Sequence, residues 1–431
     1  MSASLKSMSN AYTPRFKLDY SVRGLIERIS GAAERSLNEV VEAFIDVLRV
    51  PAVNPSAGGR GELRRAEKIQ AALSELGIEH ITRIDVPDDR AEGGVRPNIV
   101  ALIEGESRDK VLWLIAHMDT VPEGDARLWE TNPFEPVIRD GRIYARGAED
   151  NGQAIASMLL AARILMELEL RPRVNLGMIF VSDEEAGNKY GLEQLVKKGI
   201  FGDHDEAVVL DYGSPDGSEI EIAEKHMLWL RFIVRGVQAH AAFPHHGINA
   251  HRVGARLLVA LDDLLHEKFG ESDELYIPPK STFEPTKKEL NVDNVNTVPG
   301  TDIFYFDCRI LPRYSLEEVL SAVRDLCVRF ESMYGVKIEV EEAMRWEAPP
   351  PTPLSANVVR KLSEALKLSR NIDARIIGIG GGTCAALLRA QRIPAAVWST
   401  LDGMAHKPNE YCKIENIRRD AETLVLLSLL I

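Results

Sequence analysis

Hydrophobic positions along this chain follow two patterns, which predict strands and helices in alternation. Residues 111–116 (VLWLIA) form an uninterrupted apolar run that leads directly into His117. A run of this length, bounded by polar residues, is typical of a strand buried on both faces. Comparable runs occur at residues 174–187, 206–213 and 393–400, and helical spacing of apolar residues occurs at residues 36–48, 64–76 and 153–168. Strands that alternate with helices favour an α/β domain with a largely parallel sheet.

The pattern changes between residues 226 and 346, where shorter amphipathic elements predict a second domain. Strands are predicted at residues 226–236, 294–298, 302–311 and 336–344, and helices at residues 248–265 and 315–333. Ser315 is the expected N-cap of the second helix. This βαββαβ order is typical of a ferredoxin-like arrangement. We therefore expect a catalytic domain made of residues 1–225 and 347–431, interrupted by an inserted α+β lid at residues 226–346.

Composition excludes several classes of protein. The chain of 431 residues has a net charge of −13 and a pI near 5.4, which argues against a nucleic-acid partner because such proteins usually present basic faces. No apolar run approaches the roughly 18 residues that a membrane helix needs, so we expect no membrane partner. The four cysteines form no CxxC pair and the chain shows no export signal, which predicts buried thiols in a cytoplasmic protein. Residues 1–20 are polar, and we expect them to be loosely ordered.

Acidic residues and histidines stand where each predicted strand ends. His117 and Asp119 follow the first run. The others are Asp183, Glu184 and Glu185 at the end of the second run, Asp211 in the third, His406 after the fourth, and Asp150 in the loop before the helix at residues 153–168. Because the carboxyl ends of parallel strands meet at one edge of a sheet, we expect these side chains to lie close together, where α/β sheets bind ligands.

Two histidines and several carboxylates at one edge suit a pair of metal ions about 3.5 to 4 Å apart, provided that one carboxylate bridges them. We assign one metal to His117, Asp150 and Asp211. The other metal is assigned to Asp150, Glu185 and His406, so that Asp150 is the bridge. Such a pair polarises an amide carbonyl and makes a nucleophile from water near neutral pH. The pattern therefore predicts a metal-dependent amide hydrolase.

Two further carboxylates lie beside this predicted centre without binding the metals. Glu184 is placed to act as the general base and later as the general acid. Asp119 is expected to orient the ring of His117. Each motif alone also has an ordinary interpretation: a surface pair for His117 and Asp119, a solvated turn for the Asp-Glu-Glu run, and a cap for Asp211. Their occurrence together at four strand ends favours the metal site.

Six motifs occur in the order AHMDTVP, RGAEDNGQ, SDEEAG, VLDYG, GGGTCA and AHKPNEY. From about residue 36 to its end, the chain resembles the M20 metallopeptidases, which include acetylornithine deacetylase, succinyl-diaminopimelate desuccinylase, aminoacylases and carboxypeptidase G-like enzymes. The resemblance implies two zinc ions, with cobalt or manganese as alternatives, on the ligands assigned above. It also implies Glu184 as the acid/base, Asp119 as the orienting residue, and a cis peptide bond between Asp150 and Asn151.

The resemblance also extends to the lid. It implies that His240 stabilises the oxyanion of the tetrahedral intermediate, often across a dimer interface, and that Asn296 and Arg309 hold the substrate carboxylate. A guanidinium fork suits a carboxylate. Two simpler interpretations stay open, with His240 in a plain turn of the lid and Arg309 in a surface ion pair. The resemblance favours a homodimer formed through the lid.

A glycine-rich loop precedes the fourth apolar run. The backbone N–H groups of Gly381, Gly382 and Thr383 offer a site for an anion such as the substrate carboxylate, although glycines also occur at strand-to-helix turns without any ligand. Cys384 stands where many M20 relatives have an acid or a serine, which affects carboxylate recognition and leaves the metal ligands unchanged.

We expect an enzyme that deacylates an N-acyl amino acid of the N-succinyl-diaminopimelate or N-acetylornithine type, in amino-acid biosynthesis. A dipeptidase or carboxypeptidase with the same site is the alternative, because the shape of the lid pocket decides between a small N-acyl amino acid and a short peptide. A non-catalytic metal-binding scaffold is a third hypothesis. The intact Glu184 argues against it, since a scaffold does not need a non-ligating base.

Overall fold

The computed structural model describes residues 20–431, with side chains described from residue 22 onwards. The loosely ordered segment predicted at residues 1–20 lies outside the described residues, apart from its last residue, which begins a helix. The helices are α1 (Tyr20–Leu48), α2 (Leu63–Glu75), α3 (Gln153–Glu167), α4 (Leu192–Lys197), α5 (Ala250–Lys268), α6 (Leu316–Tyr334), α7 (Asn357–Arg370), α8 (Ala385–Ala390) and α9 (Ile414–Leu430). The strands are β1 (His80–Pro87), β2 (Val95–Ile103), β3 (Ser107–His117), β4 (Val137–Arg139), β5 (Arg142–Tyr144), β6 (Val174–Val181), β7 (Glu206–Ser214), β8 (Glu219–Glu224), β9 (His226–Arg235), β10 (Ala239–His240), β11 (Tyr276–Ile277), β12 (Thr282–Lys288), β13 (Thr297–Val298), β14 (Thr301–Ile310), β15 (Lys337–Trp346), β16 (Arg375–Ile379), β17 (Ala395–Thr400) and β18 (Tyr411–Lys413).

Nine strands form the large sheet, in the order β1-β2-β6-β3-β7-β17-β8-β16-β11. The central strands β6, β3, β7 and β17 are parallel neighbours, whereas β1 and β2 are antiparallel at one side. The apolar runs of the sequence are these central strands, and β6 is buried along its whole length. The predicted α/β class with a mostly parallel sheet is confirmed.

Helices cover both faces of the large sheet. Leu112 and Leu114 of β3 belong to a core that also contains residues of α1, α3, α7 and α9. Trp113 and Ile115 face the other way, into a second core that contains residues of α4 and α8. Because alternate side chains of a strand point to opposite faces, an uninterrupted apolar run fills both cores.

A smaller sheet has the strand order β12-β14-β9-β15 and shares a core with α5 and α6. Phe304 and Phe306 lie on the buried face of β14, which alternates strictly between buried and half-buried residues. The ring of Phe304 stacks on that of Phe232 with centroids 4.9 Å apart. Ser315 caps α6 in a capping box with Glu318, as the sequence predicts. Taken along the chain, β9, α5, β12, β14, α6 and β15 form the βαββαβ unit.

The second strand of this unit is not where the sequence predicts it. It is β12, whereas only Thr297–Val298 of the predicted strand at residues 294–298 is extended, and this pair bonds to Ala239–His240. β12 is an edge strand that contains Pro285 and has mostly exposed side chains. Such a strand lacks the alternation of apolar residues on which the prediction depends, and proline is tolerated at a sheet edge.

Three further expectations can be compared with the structure. α1 begins at Tyr20, well before the helix predicted from residue 36. All four cysteines are buried and unpaired, as predicted. Among the helices described for residues 20–431, none is long and apolar enough to cross a membrane.

Candidate metal centre

The first group of predicted ligands gathers where β3 and β7 run side by side. His117 is the last residue of β3, and Asp211 lies within β7. The Nε2 atom of His117 lies 3.0 Å from Oδ1 of Asp150 and 3.4 Å from Oδ1 of Asp211. These three side chains each offer an atom within 4.8 Å of the others, so they can hold a metal ion together. The imidazole is almost completely buried.

The second group shares one residue with the first. The Nε2 atom of His406 lies 3.2 Å from Oδ2 of Asp150 and 3.1 Å from Oε2 of Glu185. Asp150 therefore points one carboxylate oxygen at His117 and the other at His406. A carboxylate placed between two imidazoles in this way is the arrangement that a bridging ligand requires. The peptide bond between Asp150 and Asn151 is cis, as the family resemblance implies.

The donor set fits a pair of divalent cations. Tetrahedral zinc has bonds of about 2.0 to 2.2 Å to nitrogen and oxygen, and its neighbouring ligands are therefore about 3.3 Å apart, which is the spacing found between the imidazole and carboxylate atoms here. Oε1 of Glu185 is buried and has no hydrogen-bond partner within the described residues. A buried carboxylate oxygen without a partner is costly unless it binds a cation or water.

The acidic side chains around the centre also favour the binding of cations. A cavity of about 300 Å³ opens over it. It is lined by Glu149, Asp150, Asn151, Glu184, Glu185, Asp211, Tyr212, Ile379, Gly382, Thr383, Leu401, Ala405 and His406, with no lysine or arginine among these described residues. Burial lowers the pKa of His117, but the carboxylates of Asp211, Asp119 and Asp150 outweigh this effect and hold the pKa well above its ordinary value. The carboxylates thus favour positive charge at this position.

Glu184 lines this cavity and takes no part in either ligand group. Burial and the neighbouring charge of Asp211 raise the pKa of Glu184 well above its ordinary value. Its backbone N–H donates to Oδ1 of Asp119 at 2.9 Å, and the N–H of Glu185 donates to Oδ2 at 3.2 Å. The Asp119 carboxylate therefore fixes the turn that carries both glutamates.

Asp119 contacts His117 through its backbone as well as its side chain. Nδ1 of His117 lies 3.0 Å from the backbone oxygen of Asp119 and 3.6 Å from the nearer carboxylate oxygen. An acceptor at Nδ1 leaves Nε2 free to face a metal. The sequence suggests the carboxylate of Asp119 as the acceptor, but its backbone carbonyl is closer. The carbonyl is closer because the turn brings the backbone of Asp119 back towards the ring.

A buried polar network behind the centre was not predicted from the sequence. Nδ2 of Asn54 donates to Asp119 at 2.9 Å and to Asp183 at 3.0 Å. Arg96 donates to Asp183 at 3.2 Å and is paired with Glu62, and the side chains of Arg96 and Glu62 are fully buried. A fully buried arginine paired with acids usually supports a site or a specific packing arrangement. Isolated polar residues have no periodicity, so the sequence pattern does not reveal this network.

Asn151 joins the two strands that carry the first ligand group. Its Oδ1 accepts a hydrogen bond from the N–H of His117 at 3.2 Å. Its Nδ2 donates to the carbonyl of Leu210 at 2.7 Å and to Oδ1 of Asp211 at 2.9 Å. The side chain therefore fixes the position of Asp211 relative to β3, a role that the sequence alone did not indicate.

The predicted lid residues lie apart from the metal ligands. His240 and Asn296 are exposed, and within the described residues neither lines the cavity over the centre. They lie close to each other instead, because β10 pairs with β13 and the carbonyl of Asn296 accepts from the N–H of Ala241 at 2.9 Å. The structure thus brings together two of the predicted substrate-contacting residues at an exposed pair of short strands, β10 and β13, which form a two-stranded sheet of their own.

Arg309 bridges the smaller sheet and the glycine-rich loop. Its guanidinium pairs with Asp307 at 2.6 Å and donates to the carbonyl of Gly380 at 3.0 Å. Gly382 lines the cavity over the centre, and Met227 and Trp346 lie beside it. The ion pair left open by the sequence is therefore present, and the same arginine also reaches the loop.

The loop ends in a buried anchor. The N–H and Oγ1 of Thr383 donate to Oε1 of Glu224 at 2.8 and 2.7 Å. Thr383 lines the cavity, whereas Gly381 is not among the described residues that line it. Cys384 is buried, and burial raises the pKa of its thiol well above the ordinary value.

The sequence matches known metallohydrolases over most of its length. Residues 113–429 match the model of Peptidase family M20/M25/M40. An uncharacterized metallohydrolase of Methanocaldococcus jannaschii is 42% identical, over 90% of this chain and 98% of that protein. A succinyl-diaminopimelate desuccinylase of Gluconacetobacter diazotrophicus is 28% identical, over 90% of this chain and 96% of that protein. A dinuclear metal-binding peptidase of Bacillus subtilis shares the fold, with a TM-score of 0.64 at 14% identity over 92% of this chain and 98% of that one.

The fold is a mostly parallel α/β sheet, and two histidines and three carboxylates meet at its carboxyl edge. These features are those of a metallohydrolase. The chain belongs to peptidase family M20/M25/M40. It is a hydrolase that acts on amide or peptide bonds, and the family resemblance drawn from the six motifs is confirmed.

Proposed function

We propose that this chain deacylates an N-acyl amino acid, of the N-succinyl-diaminopimelate or N-acetylornithine type, with the help of two metal ions. The observation that carries the proposal is the orientation of Asp150, whose two carboxylate oxygens face His117 and His406 at 3.0 and 3.2 Å. The relative named as a succinyl-diaminopimelate desuccinylase supports the acyl amino acid as substrate class. The fold shared with a dinuclear metal-binding peptidase supports two ions.

The ligand set is the one assigned from the sequence. His117, Asp150 and Asp211 would hold one ion, and Asp150, Glu185 and His406 would hold the other. Zinc is the proposed metal, because imidazole and carboxylate ligands suit it, with cobalt or manganese as alternatives. When bound, the two cations polarise the amide carbonyl and lower the pKa of water at the site.

Glu184 performs the proton transfers in this proposal. Its carboxylate lines the cavity and is not required as a ligand, so it can take a proton from the attacking water. The raised pKa, caused by burial and by Asp211, suits a group that must also give this proton to the leaving amine. Asp119 holds the Glu184 backbone through its carboxylate and His117 through its carbonyl, and so keeps base and ligand in register.

We further propose that the smaller sheet and its helices, residues 226–346, act as a lid that recognises the substrate carboxylate. Arg309 and the backbone of Gly381, Gly382 and Thr383 are the proposed contacts. Arg309 already bonds the carbonyl of Gly380 in this loop at 3.0 Å. Its partner Asp307 lies on the same strand, so an incoming carboxylate would compete with Asp307 for the guanidinium fork.

His240 and Asn296 complete the site in this proposal from a second copy of the chain. Both are exposed and lie together at the edge made by β10 and β13, while neither lines the cavity of its own chain in the part that the structure describes. In this proposal, a homodimer through the lid would bring them to the partner's metal centre, where His240 would stabilise the oxyanion.

A peptidase acting on dipeptides or carboxy-terminal residues is the second candidate. The peptidase name of the Bacillus subtilis structure favours it, because the same metal centre can cleave either bond. The experiment is a measurement of amine release by zinc- or cobalt-loaded protein from N-succinyl-diaminopimelate, N-acetylornithine, N-acetyl-lysine and several dipeptides. Preference for one N-acyl compound supports the proposal, and preference for dipeptides replaces it. Silence across the panel with two metals bound favours the scaffold hypothesis.

A further inference from the structure

Two buried glutamates connect the loops that carry Asp150 and His406. Glu410 follows His406 by four residues and is fully buried, and Glu149 immediately precedes Asp150 and is 2% exposed. Neither belongs to a ligand group. The loops lie more than 250 residues apart in sequence, so contacts between them must come from tertiary structure.

Glu410 accepts hydrogen bonds from the loop around Asp150. Its Oε1 accepts from the N–H of Glu149 at 2.9 Å and of Asp150 at 3.0 Å. Its Oε2 accepts from the N–H of Gly147 at 3.0 Å and from the Arg146 guanidinium at 2.6 Å. A charged acceptor that receives several backbone N–H groups is strongly bound. The carboxylate of the His406 segment therefore holds the backbone of the bridging ligand.

Glu149 makes the reverse connection. Its Oε1 accepts from the N–H of Asp402 at 2.6 Å, and its Oε2 accepts from the N–H of Met404. These two residues lead directly into His406, which adopts a φ of 64°. A left-handed backbone is unfavourable at a non-glycine residue, so the surrounding contacts must hold it.

The backbone of the Asp150 loop is shaped for this contact. Gly147 has a φ of 79°, and a Cβ atom at this position would lie 2.6 Å from Cγ2 of Thr120. Only glycine can therefore turn its N–H towards Glu410 without displacing Thr120.

We propose that Glu149 and Glu410 are positioning residues that hold the two ligand loops in register before any metal binds. Each carboxylate is covalently part of one loop and hydrogen-bonded to the other, so neither loop can move without breaking contacts at both. The inference rests on the proposed metal centre. It assigns different consequences to the two residues, because Glu410 holds Asp150, which both metals share, whereas Glu149 holds the segment of His406, which serves one metal.

The first test is hydrogen–deuterium exchange on the metal-free wild-type protein. Within peptides covering residues 145–152 and 400–408, the amides that these carboxylates hold should exchange as slowly as the strands of the large sheet; they are those of Gly147, Glu149, Asp150, Asp402 and Met404. In Glu410→Gln, exchange should rise at least about tenfold in residues 145–152, because an amide offers one acceptor oxygen and turns its NH₂ group towards backbone donors. In Glu149→Gln, the increase in exchange should occur in residues 400–408 instead. Fast exchange of these amides in both peptides of the wild-type protein would overturn the proposal. This measurement does not depend on whether a variant folds.

The second test is titration of metal-free protein with Co²⁺, followed by its absorption spectrum. Glu149→Gln should weaken one of the two sites by about 10- to 100-fold and leave the other unchanged, while Glu410→Gln should weaken both. Glu221→Gln is the matched control, since Glu221 is a fully buried carboxylate that pairs with Arg389 and contacts neither loop. Unchanged affinities in both folded variants contradict the proposal. A wild-type protein that binds fewer than two Co²⁺ contradicts the proposed function instead.

Discussion

The carboxyl edge of the large sheet and the two-stranded pair of β10 and β13 hold their site residues in opposite ways. At the large sheet, His117 is 3% exposed and Asp119 is fully buried, and the carboxylates of Asp119, Glu149 and Glu410 accept hydrogen bonds from backbone N–H groups. At the pair of β10 and β13, His240 and Asn296 are exposed. His240 bonds only the nearby N–H of Ala242, at 3.0 Å, among the hydrogen bonds described for its side chain.

The contrast follows from what each region must do. Several carboxylates can be kept close together only if other groups in the fold hold them, because like charges in a poorly solvated site repel each other. Asn54, Asn151, Glu149 and Glu410 provide those contacts at the large sheet. Groups that meet a substrate or a second copy of the chain need no such support until the partner arrives. The large sheet therefore holds the proposed chemistry, and the smaller sheet holds the proposed recognition.

The largest expected effect is that of the proposed base. Glu184→Gln should lower turnover by on the order of 10² to 10⁴ because the proton of the attacking water loses its acceptor. Both metals should stay bound, since Glu184 belongs to neither ligand group. Amine release and elemental analysis on the same sample measure the two quantities. Glu193→Gln, a change at the Lys197-paired glutamate of α4, is the control and should behave as wild type. Undiminished turnover in Glu184→Gln would remove this residue from the mechanism.

The next effect tests whether the two edges meet across a dimer. His240→Ala should lower turnover by about 10² to 10³, the effect of losing one donor to an oxyanion. If His240 serves the partner's centre, an equal mixture of His240→Ala and Glu184→Gln chains should recover about a quarter of wild-type activity, because half of the dimers then contain one complete site. Activity that stays at the level of the separate variants after subunit exchange contradicts the dimer.

A smaller effect is expected from the arginine that joins the two regions. Arg309→Lys keeps the charge but loses the planar fork. KM should rise about 10- to 100-fold with a lesser change in kcat, since hydrogen bonds to a charged group contribute about 1.5 to 3 kcal/mol. The measurement is steady-state kinetics on an N-acyl amino acid and on its carboxamide, which lacks the carboxylate. The comparison shows whether the rise in KM depends on that carboxylate. An equal change for both substrates means that Arg309 does not bind the carboxylate.

The smallest effect on stability is expected at the exposed lid edge. Val295 is fully exposed beside Asn296, so Val295→Ser should change the free energy of unfolding by no more than about 0.5 kcal/mol. The same change should weaken dimerisation if this edge is the interface. Denaturant unfolding and analytical ultracentrifugation measure the two properties, with Val328→Ser as the control because Val328 is exposed on α6. An unchanged dimer constant moves the interface elsewhere.

The central strands, and the residues that we propose as ligands, could be predicted from the sequence because both leave a local signal. A strand buried on both faces is an uninterrupted apolar run, and β3 is such a run ending in His117. The polar residues at strand ends stand out against these runs. The sequence also predicts the cap of α6, where Ser315 and Glu318 are three residues apart.

The remaining features depend on tertiary structure. β12 is an exposed edge strand, so its sequence does not alternate. Glu410 contacts residues that precede it by more than 250 positions, and no local pattern encodes that distance. His240 and Asn296 come together through the pairing of β10 with β13, which hydrophobic spacing does not specify.

Equilibrium dialysis of metal-free protein against Zn²⁺ or Co²⁺, with amine release measured on the same samples, tests the central claim most directly. The account predicts two ions per chain in wild type, activity that appears only as they bind, and less than one ion per chain in Asp150→Asn at a metal concentration that saturates the wild-type protein. Binding of a single ion in wild type, or two ions retained in Asp150→Asn at that concentration, would contradict the bridging role of Asp150 and with it the proposed centre.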